Sequence, residues 1–279
     1  MALGERKPVS PTPAAHPRRY LMCEPRYFGV EYAINPWMSE GAEVDRSRAL
    51  EQWRTLADTY IRLGHTVETV EAVPGLPDMV FAANGAVVVG GRVLGARFHA
   101  AQRQPEAAAF AAWFKAAGFD VHEPESVCEG EGDLVPVGRQ VLAGTGFRTT
   151  PMAHQEAQEF LGVPTISLRL VDPYFYHLDT ALFALDDENV AYYPEAFSPG
   201  SREVLRQLYP DAVIAGRDDA QVFGLNSVSD GRHVVIDPRA AGLIEQLADR
   251  GYTPVPVDLS EMHKAGGSAK CCTQEVRPA

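Results

Sequence analysis

The most constraining feature of this chain is a pattern that recurs five times, with a period of about 45 to 50 residues. Each copy reads as an amphipathic helix, a strand and a β-hairpin. In the first copy, residues 46–63 carry apolar side chains at helical spacing, and the hairpin at 81–98 turns at Gly90 and Gly91. Repeated units of this kind bury their apolar faces against one another, so the pattern predicts one continuous α/β array.

The fifth copy begins at 240–251 and reaches 269–276, where it lacks a partner for its last strand. A further strand-like segment, RYLMCEP at 19–25, lies outside the copies near the N-terminus. We predict that it closes the fifth copy, because a ring closed by its own termini leaves few sheet edges exposed. The predicted fold is therefore a five-bladed, pseudosymmetric α/β propeller.

An open α/β sheet with alternating helices and strands is the alternative. Two observations favour the ring. The connections between paired strands read as hairpins rather than helical crossovers. In addition, unusual polar residues occupy the same phase of every copy, just before or inside the first hairpin strand; these are Asn84, Asp133, His177 with Asp179, Asn226 and Cys271.

Composition limits the domain organisation and the partners. Residues 1–17 are rich in Pro and Ala without periodicity, which predicts a disordered tail ahead of a single catalytic domain at 18–279. The net charge of −12 argues against nucleic acid, whose phosphates need clustered Lys and Arg, and is compatible with a small cationic substrate. Because no apolar run approaches a membrane span and no secretory segment is evident, we expect a cytoplasmic protein without a membrane partner. A homo-oligomer is compatible with the sequence.

The four cysteines do not form a disulfide framework, and two of them, Cys271 and Cys272, are neighbours. Each cysteine alone reads as structural. However, Gly266 and Gly267 precede the pair and allow a close backbone approach to a ligand, while Lys270 could stabilise a thiolate. On a strand the two cysteines would point to opposite faces, so only one could serve a site.

The segment at 176–180, YHLDT, strengthens the catalytic interpretation. If it is a strand, His177 and Asp179 lie on one face, where the carboxylate could orient the imidazole as a proton carrier. A core histidine with a nearby carboxylate is the alternative.

The acidic segment at 128–133 is denser in carboxylates than a turn requires. We expect Glu129 or Asp133 to face inward, and a guanidinium is the partner whose planar fork fits a buried carboxylate best. Arg103, just before a helix, and Arg148, at the end of the second hairpin, could bind a substrate carboxylate bidentately. No ligand spacing indicates a zinc or calcium site, and we predict neither a metal nor a cofactor.

From about Tyr20 to Glu275, the sequence resembles the guanidino-group-modifying superfamily of arginine deiminases, dimethylarginine dimethylaminohydrolases and glycine amidinotransferases. The resemblance rests on the combination of the 129–133 segment, the His-x-Asp pair at 177–179 and the Gly-Gly-Ser-Ala-Lys-Cys-Cys-Thr segment at 266–273. It implies the fivefold pseudosymmetric propeller called a pentein, a small-molecule substrate and a covalent thiouronium intermediate. The residue roles implied by the resemblance are Cys271 as nucleophile, His177 as general acid and base, Glu129 and Asp179 as guanidinium ligands, and Arg103 and Arg148 as ligands of the substrate carboxylate.

The chain departs from deiminases and dimethylargininases at 83–84. Where deiminases have Arg-Asp and dimethylargininases Glu-Asp, this chain has Ala83 and Asn84. With Asn35, this resembles the arginine dihydrolases, in which matching asparagines line the substrate site. Arginine to ornithine, ammonia and carbon dioxide is therefore the expected reaction. A dimethylargininase, a deiminase that releases citrulline and an amidinotransferase are the alternatives within the superfamily. A Cys-His-Asp acyl hydrolase and a non-catalytic binding propeller are the alternatives outside it.

Overall fold

The computed structural model describes residues 13–277. Residues 1–12 of the predicted tail lie outside the described residues. From Pro13 to Pro17 the chain has no helix or strand, and the backbone N–H of His16 donates to the carbonyl oxygen of Asp230 at 2.9 Å. This part of the predicted tail is therefore in contact with the body of the protein.

The described chain folds into α/β structure with fifteen strands and seven α-helices. The strands are β1 (Arg19–Cys23), β2 (Thr66–Val70), β3 (Ala86–Val89), β4 (Arg92–Gly95), β5 (Asp120–His122), β6 (Leu134–Val137), β7 (Gln140–Thr145), β8 (Thr165–Arg169), β9 (Leu182–Ala184), β10 (Val190–Tyr192), β11 (Val213–Ile214), β12 (Val228–Ser229), β13 (His233–Ile236), β14 (Thr253–Pro256) and β15 (Gln274–Glu275). The helices are α1 (Arg46–Arg62), α2 (Glu106–Ala116), α3 (Pro151–Leu161), α4 (Pro199–Leu208), α5 (Arg217–Gln221), α6 (Ala241–Asp249) and α7 (Ser260–His263).

The strands form five separate three-stranded sheets, ordered β3-β4-β5, β6-β7-β8, β9-β10-β11, β12-β13-β14 and β15-β1-β2. In each sheet the central strand pairs antiparallel with one neighbour and parallel with the other. The parallel neighbour follows a helix, as in β4-α2-β5. The expectation that paired strands are joined by hairpins alone is therefore wrong for one pair in every sheet. Parallel strands require such a crossover, and the helix supplies it.

The two ends of the chain meet in one sheet. Strand β1 pairs antiparallel with β15, with Tyr20 opposite Glu275 and Leu21 opposite Gln274. It also pairs parallel with β2 over its full length. The prediction that the segment 19–25 completes the last copy is confirmed.

The outer antiparallel strands of neighbouring sheets contact one another, from β15 to β3, β3 to β6, β6 to β9 and β9 to β12. Short 3₁₀ turns lead into three of these strands, at Ala82–Gly85, Gly130–Gly132 and Leu178–Thr180. The predicted polar residues lie on these turns and on the corresponding loops. Two local predictions are thus wrong. His177 and Asp179 lie at a 3₁₀ turn rather than on a strand, and Cys271 and Cys272 lie in the turn before β15.

Helix α1 illustrates how the sequence forms these layers. Asp45 caps its N-terminus, accepting the N–H of Arg48 at 3.0 Å, and this satisfies a donor that has no partner within the helix. Trp53, Leu56 and Tyr60 recur at helical spacing and are buried against α7 and the sheet that contains β1. Burial of each such side chain contributes about 1.5–3 kcal/mol. Within residues 13–277, no helix is both long enough and apolar enough to cross a membrane.

Candidate active site

Cys271 is placed where the turn before β15 meets two other copies. Its Sγ lies 3.3 Å from Oδ2 of Asp179 and 3.1 Å from Nδ2 of Asn226, and the residue is 2% exposed. Burial raises the pKa of this thiol well above its ordinary value, and the neighbouring charge of Asp179 acts in the same direction. Cys271 is therefore a buried thiol in a polar environment, in contrast to a cysteine that only fills the core.

The neighbouring Cys272 has a different environment. It is completely buried in an apolar cluster, and its Sγ makes no hydrogen bond with any residue of the described part of the chain. The expectation that only one of the pair faces the polar site agrees with this geometry, although the chain forms a turn here rather than a strand.

Lys270 does not hold the thiol, as the sequence suggested that it could. Its Nζ donates to Oε2 of Glu131 and to the carbonyl oxygen of Thr273 at 2.9 Å. Its charge is therefore paired with a carboxylate.

His177 is paired with Glu129, not with Asp179 as the strand interpretation predicted. The imidazole Nε2 lies 2.6 Å from Oε2 of Glu129, and the same oxygen accepts Nη1 of Arg148 at 3.2 Å. The other carboxylate oxygen accepts the backbone N–H of His99 at 2.8 Å. Burial alone would raise the pKa of Glu129, but the hydrogen bond and charge of His177, with the charges of Arg148 and Arg103, hold it well below its ordinary value. Glu129 thus orients the ring, and Nδ1 of His177 is buried with no partner among the described residues.

The carboxylate of Asp179 has one oxygen beside the Cys271 sulphur and one oxygen without a partner in the described chain. Burial raises its pKa to about 6, against the opposing charges of His177 and Lys270. An incompletely paired, buried carboxylate beside a thiol is suited to a cationic ligand that can donate several hydrogen bonds.

Arg103 and Asn84 form a second buried group. Arg103 pairs bidentately with Glu106, at 3.0 and 2.8 Å, and donates from Nη1 to Oδ1 of Asn84 at 2.7 Å. Nη2 also reaches the carbonyl oxygen of Asp78 at 3.2 Å. Because Arg cannot accept a hydrogen bond, this contact fixes the orientation of the Asn84 amide. Its Nδ2 lies against Gly132, and its one hydrogen-bond acceptor among residues 13–277 is the Glu129 carbonyl oxygen at 3.5 Å.

A loop of the N-terminal segment, residues 30–38, lies against the site. Nη2 of Arg148 donates to the carbonyl oxygen of Ile34 at 2.6 Å, and Nδ2 of Asn35 donates to the carbonyl oxygen of Ala265 at 3.1 Å. Trp37 fixes the far end of the loop by donating from Nε1 to the carbonyl oxygen of Tyr174 at 2.7 Å. Asn35 is therefore placed beside the glycines that precede Cys271.

The prediction that Asp133 binds substrate is not supported by the structure. Its carboxylate accepts the backbone N–H groups of Leu178 and Thr149, each at 3.1 Å, and the residue is fully buried. Asp133 instead positions the turn that carries His177 and Asp179.

Several residues of the site carry no role in the sequence prediction. The ring of Tyr176 lies 4.8 Å from the guanidinium carbon of Arg148, and its hydroxyl donates to the Gly266 carbonyl oxygen at 2.9 Å. Asp78 is buried, accepts the hydroxyl of Tyr32 at 2.8 Å and has one oxygen without a partner among residues 13–277. The sequence marks Asn226 only by its phase within the repeat. The sequence pointed to Tyr176 only through its position next to His177, and to Asp78 only through its position near Asn84.

The arrangement contains a thiol, an oriented imidazole, a free carboxylate oxygen and two buried arginines. Within the described residues, no three His, Cys, Asp or Glu side chains are grouped so that they could hold a metal ion. The residues that are present can perform nucleophilic attack, proton transfer and recognition of a cation.

Comparison with known proteins places this geometry in context. The model of the family described as N,N dimethylarginine dimethylhydrolase, eukaryotic, matches residues 24–278. An N(G),N(G)-dimethylarginine dimethylaminohydrolase of Mycobacterium tuberculosis is 52% identical over 261 residues, covering 94% of this chain and 86% of that protein. The bifunctional arginine dihydrolase/ornithine cyclodeaminase ArgZ of Synechocystis sp. is 38% identical over 265 residues. That match covers 92% of this chain but only 37% of the length of ArgZ.

A solved structure gives the same relationship. The N-terminal domain of ArgZ, in a cysteine-to-serine mutant bound to substrate, has a TM-score of 0.91 and 37% identity to this chain. The match covers 94% of this chain and 98% of that domain. The chain thus belongs to the dimethylarginine dimethylaminohydrolase family of guanidino-modifying hydrolases, which act on C–N bonds.

Proposed function

We propose that this protein hydrolyses the guanidino group of free arginine to ornithine, ammonia and carbon dioxide, with Cys271 as the nucleophile. The observation that carries the proposal is the placement of the Cys271 sulphur 3.3 Å from a buried Asp179 carboxylate whose other oxygen has no partner among the described residues. A guanidinium placed there would donate to Asp179 and present its central carbon to the sulphur. Its positive charge would also favour the ionised thiol.

The first half of the reaction uses the thiolate of Cys271 and His177. The sulphur attacks the central carbon, and the bond from that carbon to a terminal nitrogen breaks. The leaving nitrogen takes a proton from His177, so that ammonia departs and a thiouronium remains on the sulphur. Water then gives a proton to His177 and adds to the carbon, and the C–S bond breaks with its electron pair returning to sulphur. Glu129 keeps the imidazole in position for both proton transfers, since it holds Nε2 at 2.6 Å.

The proposed substrate ligands are the residues around this centre. Glu129 and Asp179 are proposed to face the guanidinium. Arg148, which reaches the N-terminal loop, is proposed to bind the substrate carboxylate with help from Arg103. Arg103 already pairs bidentately with Glu106 in this structure. To bind the substrate carboxylate as well, it would have to share one of its N–H groups between Glu106 and the substrate.

Asn84 supports a second hydrolysis in the same site. Arg103 fixes its Oδ1, so the group left facing Gly132 and the imidazole of His177 is the Nδ2 donor. The ureido group left by the first hydrolysis is neutral and has a carbonyl oxygen. This oxygen can accept a hydrogen bond from an amide but not from a carboxylate, which has no hydrogen to donate. An asparagine is thus suited to retain the ureido compound for a second attack by Cys271, giving ornithine, carbon dioxide and a second ammonia.

Hydrolysis of dimethylarginine is the second candidate. It is favoured by the family match over residues 24–278 and by the 52% identity with the mycobacterial protein. Against it, Ala83 offers no carboxylate to the guanidinium. A deiminase that releases citrulline would follow if the second hydrolysis does not occur.

A product assay separates these candidates. Purified protein is incubated with arginine and, separately, with asymmetric dimethylarginine, and ornithine, citrulline and amines are quantified. We expect ornithine with little free citrulline from arginine. Citrulline as the end product would indicate a deiminase, and dimethylamine from the methylated substrate without turnover of arginine would indicate a dimethylargininase. Cys271→Ser should abolish turnover, and the matched Cys272→Ser control should retain much of it.

We also infer that the five sheets are the blades of a single pseudosymmetric propeller spanning 18–279. Every sheet has the same arrangement of one antiparallel and one parallel pair, and the outer antiparallel strands contact one another in succession from β15 to β12. The pairing of β1 with β15 supports closure of the fifth blade by the N-terminal strand.

A further inference from the structure

Both polar atoms of the Asn226 side chain are committed to hydrogen bonds, one of them with the sulphur of Cys271. Asn226 lies in the loop before β12 and is 1% exposed. Its Oδ1 accepts the backbone N–H groups of Ser268 at 2.9 Å and Cys271 at 3.1 Å. Its Nδ2 donates to the carbonyl oxygen of Asp179 at 3.0 Å and to the sulphur of Cys271 at 3.1 Å.

These contacts determine which end of the amide faces the sulphur. Two backbone N–H groups can bond only to the oxygen, and the carbonyl of Asp179 can accept only from the nitrogen. The amide therefore cannot be turned over without losing three hydrogen bonds in a buried site. A hydrogen-bond donor is held permanently towards Sγ.

Other groups near the sulphur do not supply this donor. An ionised Asp179 can only accept hydrogen bonds, and Cys272 carries no positive charge that could stabilise a thiolate. The charge of Lys270 is paired with Glu131, as described above. The hydroxyl of Tyr176 donates to the carbonyl oxygen of Gly266 at 2.9 Å rather than to the sulphur.

We propose that Asn226 is a catalytic residue of this site, which stabilises the Cys271 thiolate by a direct hydrogen bond and holds the cysteine turn in place through its oxygen. The proposal rests on the proposed function insofar as Cys271 is the nucleophile. When the thiol proton is released to solvent, the lone pair left on sulphur accepts the Nδ2–H bond. When the C–S bond of the intermediate breaks, its electron pair returns to sulphur, and the same donor stabilises the leaving thiolate.

Two substitutions separate the donor role of Nδ2 from the role of Oδ1 in holding the cysteine turn. Asn226→Asp retains an oxygen for the two backbone N–H groups but removes the donor. Asn226→Ala is neutral and removes both, with the nearly isosteric Asn226→Leu as a second neutral variant if the alanine protein does not fold. Asn189→Asp is the matched control, because it adds the same charge at a partly exposed position whose amide donates to Asp211.

The measurement is the pKa of the Cys271 thiol, obtained from the rate of its alkylation by iodoacetamide as a function of pH, with the modified peptide quantified by mass spectrometry. Loss of a hydrogen bond to a charged group should raise this pKa by about one to two units in both Asn226 variants. Below the pKa, alkylation should slow by about ten- to a hundredfold, and Asn189→Asp should match the wild type.

A wild-type thiol pKa in the neutral Asn226 variants would overturn the proposal. If the thiol pKa rose only in Asn226→Asp, the rise would be an effect of the added charge, and Asn226 would serve only to hold the turn in place. Because alkylation requires no substrate, this result is independent of whether arginine or a methylated arginine is turned over. In the enzyme assay, we expect kcat to fall in parallel with the thiolate fraction while KM changes little.

Discussion

At the scale of the residue, burial and partners give the two carboxylates beside Cys271 and His177 opposite pKa shifts. Glu129 accepts hydrogen bonds from His177, Arg148 and a backbone amide, and its pKa is lowered. Asp179 has a free oxygen, and burial raises its pKa to about 6. Paired acids whose environments separate their pKa values commonly divide their roles. Here Glu129 is suited to permanent orientation of the imidazole, and Asp179 to binding a cation that arrives with the substrate.

The clearest single-residue prediction concerns Asn84→Asp. The new carboxylate still accepts from Arg103 but no longer donates, so a neutral ureido carbonyl loses a hydrogen bond. Such a loss costs about 1–3 kcal/mol, which should shift the partition between release and second attack towards citrulline by roughly tenfold or more. The ratio of ornithine to citrulline from arginine is measured for both proteins.

Asn189→Asp serves as the control for this experiment too, because it changes charge without touching the site. An unchanged product ratio in Asn84→Asp would show that Asn84 does not retain the ureido compound.

At the scale of the element, the proposed catalytic groups are carried by turns rather than by the strands themselves. The turn Gly130–Gly132 packs against the turns that carry Asn84 and His177. A Cβ atom at Gly132 would lie 2.3 Å from Nδ2 of Asn84 and 3.2 Å from Nδ1 of His177. Glycine is therefore required at this position by the close approach of two side chains of the site.

Gly132→Ala should displace both side chains. Since a misplacement of about 1 Å can cost a hundredfold in rate, we expect kcat/KM to fall by about that factor. Overpacking should also lower the free energy of unfolding by about 1–3 kcal/mol. Gly200→Ala, in α4 with no atom within 4 Å of the new Cβ, should leave activity unchanged and thermal stability equal or slightly higher. Wild-type kinetics in Gly132→Ala would show that the site has more room than the structure indicates.

The comparison of elements also shows why the sequence predicted the fold better than the site. Apolar periodicity identified the repeats, because this signal is local in the sequence. The last strand lacked a partner and the segment 19–25 was the remaining strand-like segment, so the two could be matched. The pairing of His177 with Glu129 instead of Asp179 depends on residues 48 positions apart in different copies. Likewise, the backbone contacts of Asp133 depend on the 3₁₀ turns. The alternation of polar and apolar side chains does not predict the conformation of these turns. The parallel pair in each sheet was missed because a helix separates its strands in sequence.

At the scale of the whole molecule, a charge network centred on the buried Glu131 connects distant parts of the chain. Oε2 of Glu131 accepts Nζ of Lys270 and the backbone N–H of Glu275 at 3.1 Å, while Oε1 pairs with Arg277. Arg277 also pairs with Glu275 at 2.6 Å. Glu131 comes from the second copy and its partners from the C-terminal end of the chain, so the network connects two regions of sequence that meet only in the folded protein.

Glu131→Gln should therefore destabilise the whole fold. The substitution leaves Lys270 without its carboxylate partner and leaves Arg277 with Glu275 alone, so a loss of up to about 3–5 kcal/mol is expected in the free energy of unfolding. The measurement is denaturant unfolding near neutral pH, compared with Glu203→Gln, an exposed glutamate paired with Arg206, which should show no measurable change. Equal midpoints for wild type and Glu131→Gln would show that the network does not stabilise the fold.

The pH dependence of the same variant gives an independent test. Burial would raise the pKa of Glu131, but the charges of Lys270 and Arg277 outweigh it and lower the pKa below the ordinary value of 4.5. A carboxyl group whose pKa is lower in the folded state binds fewer protons there than in the unfolded state. Its stabilisation is thus complete above pH 4.5 and is lost as the pH falls through the folded-state pKa. Because Gln cannot be protonated in this range, the difference in stability between wild type and Glu131→Gln should be constant above that pH and should shrink below it. A difference that stays constant through this acid range would mean that folding does not lower the pKa of Glu131.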